Sequence, residues 1–313
     1  MKDRPEPEWT SFHLHYHENQ DRILLGLVDP LVESLLAGGL ADRFFFVRYP
    51  LGGPHIRLRL RCLAGSVEPV AATVFAHSAQ FLRDHPSKNS LDEEVIRKHN
   101  RSLLAQDRQE EDDAVYPDNF ILQAPCHFEV ERYGGDILLE PSLDFFTASS
   151  ARSLELLRGG ATDPSRRLHA ALHLILRYGL GFARDFEETL AFLRGFPVIS
   201  RDRVPPAVLS KGNRIYGQQK AGFLALMRRE LEVLTAGRSL HGDVRRARNL
   251  AREVRNADEP ARRRIFASHL HMTANRIGIS NVEEVYISTL LCQAGGDLLA
   301  SGAIDGHGPF SAL

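Results

Sequence analysis

The chain has 313 residues, of which 43% are hydrophobic and 25% charged, and its formal net charge at pH 7 is -1. These values are typical of a globular protein with one large domain or two modest ones, and they exclude a strongly basic protein that attracts nucleic acid or membrane through its net charge. Three widely spaced cysteines show no metal-ligand spacing or disulfide framework, and neither a signal-peptide core nor an apolar run of about 20 residues occurs, so we expect a protein of the reducing cytoplasm without membrane contact.

The N-terminal part of the chain predicts an alternation of strands and helices. Apolar residues recur there at strand or helix spacing, and Pro50-Leu-Gly-Gly-Pro54 has the composition of a turn between two strands. The predicted elements are a strand, a helix, a hairpin and a second helix, over residues 9–16, 19–37, 43–49 with 55–62, and 66–84. This order predicts an α+β layer.

A polar insert covers residues 85–119 and has Glu110-Glu-Asp-Asp113 at its centre. We expect it to hold a short helix, a flexible loop or both, because a segment so rich in charge buries little apolar surface. Strand-like signal returns over 120–139, where Gly134-Gly135 interrupts it.

The second half of the chain predicts helices. Thr147-Ala-Ser-Ser150 is a candidate cap for a helix that runs through Leu157, and further helices are predicted at 163–178, 189–193, 215–235, 260–275 and 281–299, with a Pro-containing break over 195–210. We therefore predict a single α+β domain over 8–300. Its N-terminal half (8–145) has a mainly antiparallel sheet that is packed against and covered by helices, and its C-terminal half (146–300) is helix-rich.

One predicted strand places three arginines on the same face. In His55-Ile-Arg-Leu-Arg-Leu-Arg61 the side chains alternate, so the apolar residues point one way and Arg57, Arg59 and Arg61 the other. Guanidinium groups about 7 Å apart repel each other. Either this face is solvated, or it is partly enclosed and binds an anion, and the strand alone leaves both open.

Three alternate histidines on the first strand suggest a metal site. His13, His15 and His17 share one face, but they spread over about 13 Å of an unbent strand, which is too far for three ligands of one ion. We therefore expect no metal, and the sequence indicates no other cofactor.

Several segments, in chain order, resemble one family. They are the strand opening at Trp9, Phe44-Phe-Phe-Val-Arg-Tyr49, His55-Ile-Arg-Leu-Arg59, Glu129-Val-Glu-Arg-Tyr-Gly-Gly135, Phe146-Thr-Ala-Ser-Ser150 and His271-Met-Thr-Ala-Asn-Arg-Ile-Gly278. This ordered set is similar to the thiopeptide-type bacteriocin biosynthesis family, whose domain also forms the C-terminal elimination region of class I lantibiotic dehydratases. The resemblance runs from about residue 8 to residue 300.

The resemblance implies an enzyme that modifies ribosomally made peptides. In the fused dehydratases, a glutamylation module esterifies Ser or Thr of a precursor peptide with glutamate from glutamyl-tRNA. The elimination domain then expels glutamate and leaves dehydroalanine or dehydrobutyrine. The residues implicated in elimination match five positions of this chain: Arg57, Arg59, Glu129, Arg132 and His271.

Each of these residue types suits a step of the elimination. The three arginines are expected to hold the glutamate carboxylate, because a guanidinium can bind it bidentately. His271 is expected to transfer a proton, while Glu129 orients an arginine or acts as the base itself. Four more residues are candidates for substrate binding: Arg48, Tyr133, Asn275 and Arg276. Asn275 follows His271 by four positions and therefore lies on the same helical face.

Three functions follow from the resemblance. The first is the lyase, which needs a separate glutamyl-tRNA-dependent glutamylating protein besides the precursor peptide, because this chain lacks the glutamylation module. The second is the reaction of some stand-alone relatives, which join two dehydroalanines in a formal (4+2) cycloaddition and form a pyridine with loss of the leader peptide. The third is a non-catalytic partner that binds the leader, for which the basic run over 245–264 is suited. Direct nucleic-acid binding is not expected, and a homodimer is left open.

Overall fold

The computed structural model describes residues 6–89, 91–107, 114–235, 242–307 and 310. Its contacts divide the chain into two compact units, Met1–Phe128 and Glu129–Leu313, which we name unit 1 and unit 2. The predicted α+β class is confirmed, since unit 1 contains a four-stranded antiparallel sheet and the described part of unit 2 is built of helices. The single domain over 8–300 stays a prediction.

Unit 1 contains the strands β1 Glu8–His15, β2 Ala41–Tyr49, β3 His55–Cys62 and β4 Phe120–Ala124, in the sheet order β2-β3-β1-β4. Its helices are α1 Gln20–Ile23, α2 Asp29–Ala37, α3 Val67–Asp84 and α4 Glu93–Asp107, and a π-helical turn Leu24–Val28 joins the first two. The strand, helix, hairpin and helix predicted over 9–84 are therefore all present.

One face of the sheet carries the core of unit 1. Phe12 of β1 and Leu58 of β3 lie opposite each other in the register and are fully buried. The Phe12 ring lies 6.0 Å from the ring of Phe75 on α3, in an edge-to-face arrangement. Burial of these apolar side chains against the helices is what holds the layer together.

The opposite face of the sheet is polar. The register of β1 against β3 places His15 beside His55 and His13 beside Arg57, and Arg59 follows two residues later on the same face. We name His13, His15, His55, Arg57 and Arg59 the polar sheet face. The antiparallel pairing thus brings together residues of β1 and β3 that are 40 or more positions apart in the sequence.

Unit 2 contains eight described α-helices: α5 Val130–Tyr133, α6 Asp136–Leu156, α7 Pro164–Phe182, α8 Phe186–Gly195, α9 Pro206–Thr235, α10 Gly242–Glu253, α11 Glu259–Ile277 and α12 Asn281–Ala300. A π-helical turn Leu157–Ala161 extends α6, and a 3₁₀ turn Arg201–Arg203 lies in the predicted Pro-containing break. The helices predicted at 163–178, 189–193, 215–235, 260–275 and 281–299 are confirmed, although α9 begins earlier, at Pro206.

Two predictions between 126 and 150 are wrong. The expected strand signal over 126–139 falls on α5 and the start of α6, because Gly134 and Gly135 have φ values of 101° and 92° and make a turn between two helices. Residues 137–139 are three consecutive apolar residues, and such a short run is compatible with a buried helix as well as with a strand. Since α6 begins at Asp136, Thr147–Ser150 lie inside a helix and cap nothing.

The polar insert over 85–119 holds the helix α4 and an irregular segment after it, in line with the expected combination. Its acidic centre, 110–113, lies outside the described residues. Among the helices that the structure describes, none has the length and apolar content needed to cross a bilayer.

Candidate functional site

A cavity of about 600 Å³ lies among α5, α6, α8 and α11 of unit 2. Arg132, Ser268 and His271 line it together with apolar residues such as Phe196 and Ile265. Two of the five predicted elimination residues, Arg132 and His271, therefore face one space. A cavity with an apolar lining and a few convergent polar groups is the usual form of a small-substrate site.

The short helix α5 positions Arg132. This helix begins after Glu129 and ends at Gly134, whose left-handed backbone lets the chain turn within one residue. Arg132 Nη1 donates to Glu129 Oε2 at 2.9 Å and Arg132 Nε donates to Ser268 Oγ at 3.0 Å. The Arg132 side chain is 39% exposed, so the N–H groups that these two bonds do not use are accessible to a ligand. Glu129 thus contacts an arginine that it could orient, and its role in the reaction stays a prediction.

His271 is held by a buried carboxylate. His271 Nδ1 lies 2.6 Å from Oε1 of Glu284 on α12, and Glu284 is fully buried. The Nδ1–H donates to the carboxylate, which leaves the lone pair on Nε2 and fixes the tautomer. This arrangement gives His271 an orienting partner, which a histidine that acts as a general base requires.

Burial and the histidine have opposite effects on Glu284. Burial raises the pKa of the Glu284 carboxyl, while the hydrogen bond from His271 and the charges of His271 and Arg132 partly offset that rise. The backbone N–H of Val198 also donates to Glu284 Oε2, at 3.3 Å. Glu284 thus accepts hydrogen bonds from two donors, one on the His271 ring and one on the backbone that follows α8.

Arg57 and Arg59 lie on the polar sheet face of unit 1. The Arg57 guanidinium stacks on the Tyr49 ring, 3.4 Å from its centroid, and its Nε donates to His55 Nε2 at 3.3 Å. Arg59 is 9% exposed, and its Nε has no hydrogen-bond partner among the described residues. The face is therefore enclosed rather than solvated at Arg59, and a buried donor without a partner is suited to an anion.

His13, His15 and His55 are the described residues that could hold a metal. Their ligand nitrogens lie within 4.8 Å of one another, because the register adds His55 to the β1 histidines; His17 is not part of the cluster. Burial, and then neighbouring charges, lower the pKa of His13 and of His15 to about 3, so both are neutral at pH 7. A tetrahedral zinc site needs nitrogens about 3.4 Å apart, and the nearby Arg57 charge repels a cation. We keep the absence of a metal as a prediction.

The four candidate substrate-binding residues differ in accessibility. Arg48 pairs with the buried Asp21 at 2.7 Å, so its charge already supports the fold of unit 1. Tyr133 and Arg276 are buried within unit 2, where each packs on the ring of Phe146. None of Tyr133, Asn275 and Arg276 lines the cavity of Arg132 and His271. Their contact with substrate stays a prediction that this placement does not favour.

Two residues of the cavity site were missed in the sequence. Glu284 stands in the first turn of α12, where acidic residues are common for helix-terminus reasons, and Ser268 is one of many serines. The helical spacing gave a partial signal for Ser268, because it precedes His271 by three positions and shares its face. Nothing in the spacing pointed to Glu284, which lies on another helix.

Comparison with known proteins gives one family match. The family described as lantibiotic biosynthesis dehydratase C-term matches residues 9–294. None of the curated proteins compared with the chain matches it.

Three solved structures have a similar fold. The pyridine synthase TbtD from thiomuracin biosynthesis is 19% identical, with a TM-score of 0.74 over 94% of this chain and 99% of TbtD. The tRNA-dependent lantibiotic dehydratase MibB from Microbispora sp. 107891 is 20% identical, with a TM-score of 0.63 over 94% of this chain and 28% of MibB. TsrL is 17% identical, with a TM-score of 0.60 over 94% of this chain and 96% of TsrL. At these identities the likeness establishes the fold alone.

Proposed function

Because the chain belongs to the lantibiotic biosynthesis dehydratase C-terminal family, we propose that it is a peptide-modifying lyase that eliminates glutamate from glutamylated Ser or Thr of a precursor peptide. One observation carries the proposal. An arginine and a histidine that is backed by a buried carboxylate line the same cavity of unit 2. This pairing supplies both a base and a cationic hydrogen-bond donor that can bind a leaving carboxylate.

The proposed reaction is a β-elimination. His271 Nε2 takes the proton from Cα of the esterified residue, the electron pair forms the Cα–Cβ double bond, and the Cβ–O bond breaks. Glutamate departs with a free carboxylate, which Arg132 receives through its fork of N–H donors. Glu284 stabilises the imidazolium that forms.

Arg57 and Arg59 keep the glutamate-binding role that the resemblance implies. The partly unsatisfied, enclosed guanidinium of Arg59 supports an anion-binding function for the polar sheet face. The precursor peptide and a separate glutamylating protein are the partners that this reaction requires.

The direct test supplies a glutamylated peptide to the purified protein. We expect release of free glutamate and a peptide lighter by one glutamate per modified residue. Arg132→Lys keeps the charge but loses the fork, and we expect it to slow release about tenfold or more. Arg228→Lys, an exposed position on α9 outside the cavity, is the matched control. If no glutamate appears with or without the glutamylating partner, the lyase proposal is wrong.

A second candidate is a pyridine synthase. Its support is the extent of the likeness to TbtD, which covers nearly all of both chains, whereas MibB is matched over 28% of its length. A dehydrated peptide with two dehydroalanines would then be cyclised, and its leader would be lost. We expect this substrate to remain unchanged, because a cyclase has no use for a group of glutamate-binding arginines. Cyclisation that persists in Arg132→Lys would favour the synthase.

A further inference from the structure

A second, smaller cavity of unit 2 is lined by arginines. It has a volume of about 240 Å³, and five of the residues around it are Arg184, Arg248, Arg252, Arg255 and Arg262. No aspartate or glutamate is among its lining residues. So dense a group of like charges is unfavourable unless an anion compensates it.

The nearby carboxylate is already used by two of the arginines. Glu188 accepts hydrogen bonds from Arg262 Nε at 2.9 Å and Nη2 at 3.1 Å, and it pairs with Arg184 Nη2 at 2.9 Å. The carbonyls of Val254 and Phe182 complete the partners of Arg262. Glu188 is therefore already paired with Arg262 and Arg184, and it does not neutralise the arginines of α10.

Arg248 is the decisive residue. It is 8% exposed, and among the described residues no carboxylate pairs with it and no hydrogen bond satisfies it. Burial, and then the charge of Arg252, lower the pKa of its guanidinium to about 10, so the nearest charged neighbour repels it. A largely buried arginine without an anionic partner is unfavourable in the free protein, and a carboxylate ligand in the cavity would supply that partner.

We propose that this cavity, which is separate from the cavity of Arg132 and His271, binds carboxylate side chains of an acidic peptide segment. The guanidinium forks suit carboxylates, and the volume holds one or two acidic side chains but is small for a nucleotide. The net charge of -1 means that the chain as a whole does not attract nucleic acid. The proposal rests on the proposed function in one respect, namely that the substrate is a peptide.

The test measures binding without turnover, so its failure and a failure of the lyase proposal are distinguishable. The probe is a fluorescein-labelled peptide of six glutamates, followed by fluorescence anisotropy, with six glutamines as its neutral counterpart. We expect the glutamate peptide to bind and the glutamine peptide not to bind. Arg248→Met should weaken binding at least tenfold, since charge-assisted hydrogen bonds are lost. Arg228→Gln, outside the cavity, should leave it unchanged.

The same variant gives a second readout. Without peptide, Arg248→Met should raise Tm by a few degrees, because a buried unpaired charge is replaced by an apolar chain of similar length. If Arg248 instead stabilises the fold, Arg248→Met should lower Tm. If that variant does not fold, the exposed Arg252→Gln decides in its place and should also weaken binding.

Three results would overturn the proposal. They are equal binding of both peptides, an equal loss in Arg228→Gln, and displacement of the glutamate peptide by a lower concentration of a hexathymidine oligonucleotide.

Discussion

Glu283 and Glu284 are neighbours in the sequence but have different tasks. Glu283 forms a capping box with Ser280 at the start of α12, whereas Glu284 is fully buried and accepts the hydrogen bond of His271. The sequence could suggest only the first role, since capping has a local pattern. Arg132 and His271 could be predicted from their motifs, but the partner that gives His271 its tautomer comes from a different helix.

Glu284→Gln should reduce glutamate release about 100-fold with little change in KM, because the imidazolium loses its stabilising carboxylate and the tautomer is no longer fixed. Glu283→Gln is the matched control, and it should keep full activity with a small loss of helix stability. The measurement is the steady-state rate of release with saturating glutamylated peptide. Equal rates in the two variants would remove Glu284 from the mechanism.

His269 gives a prediction about pH. It is fully buried against Ile265 and Ser142, and burial, together with the charges of Arg276 and Arg132, lowers its pKa to about 4. Between pH 6.5 and 4 the unfolded chain therefore binds a proton that the folded protein does not bind. The free energy of unfolding should fall by about 3 kcal/mol from this group as the pH drops through that range.

His269→Asn should remove that part of the pH dependence, even though the loss of the ring lowers stability at pH 7. The measurement is the urea midpoint at half-unit steps from pH 7 to 4. His77→Asn, on the exposed side of α3, is the control and should keep the slope of the wild type. A slope that His269→Asn leaves intact would assign the acid sensitivity to other groups.

At the scale of elements, long periodic segments could be predicted and the junction at 126–150 could not. The helices α3 and α7 have apolar residues at helical spacing over several turns, and this pattern favours a helix over a strand. The segment from Cys126 to Leu139 is too short for a period to be recognised, and Gly134-Gly135 interrupts it. Its conformation is decided by Gly134 and Gly135, and paired glycines are compatible with several turns.

Gly134 should be intolerant of a side chain for two reasons. Its φ of 101° disfavours an L-residue, and a Cβ would clash with Leu138 Cδ1 and lie 2.8 Å from Ile265 Cδ1. We expect Gly134→Ala to lower the free energy of unfolding by about 3 kcal/mol and to slow glutamate release, because the end of α5 carries Arg132.

Gly302→Ala separates the two causes. Gly302 also has a positive φ, of 66°, but a Cβ there meets nothing within 4 Å. Gly302→Ala should lower the free energy of unfolding by about 1 kcal/mol and leave the rate of glutamate release unchanged. Equal losses in both variants would show that the packing of α5 against Ile265 and Leu138 is unimportant.

At the scale of the molecule, the fold does not choose the reaction. TbtD is a pyridine synthase and MibB a lantibiotic dehydratase, yet both have a fold similar to that of this chain, at 19% and 20% identity. The fold class could be predicted from the order of strands and helices, and the family from its motifs. The side chains that face a cavity depend on contacts between distant helices, so the choice between lyase and synthase needs the chemistry of the cavity.

The prediction of one domain over 8–300 can be tested by equilibrium unfolding. Trp9, the single tryptophan, lies in unit 1 between the rings of Phe45 and Phe128, at 5.4 and 5.8 Å. Its fluorescence reports unit 1, while far-UV circular dichroism is dominated by the helices of unit 2. One domain requires the two urea midpoints to coincide, which we expect because one family covers 9–294 without interruption.

Gly134→Ala makes that test sharper, because the substitution lies in unit 2 and the tryptophan in unit 1. In a single cooperative domain, the loss of stability at Gly134 lowers the fluorescence midpoint and the dichroism midpoint by the same amount. In two independent units, only the dichroism midpoint moves, and Trp9 keeps its wild-type transition. The fluorescence midpoint of the variant, compared with that of the wild type, therefore decides the domain count.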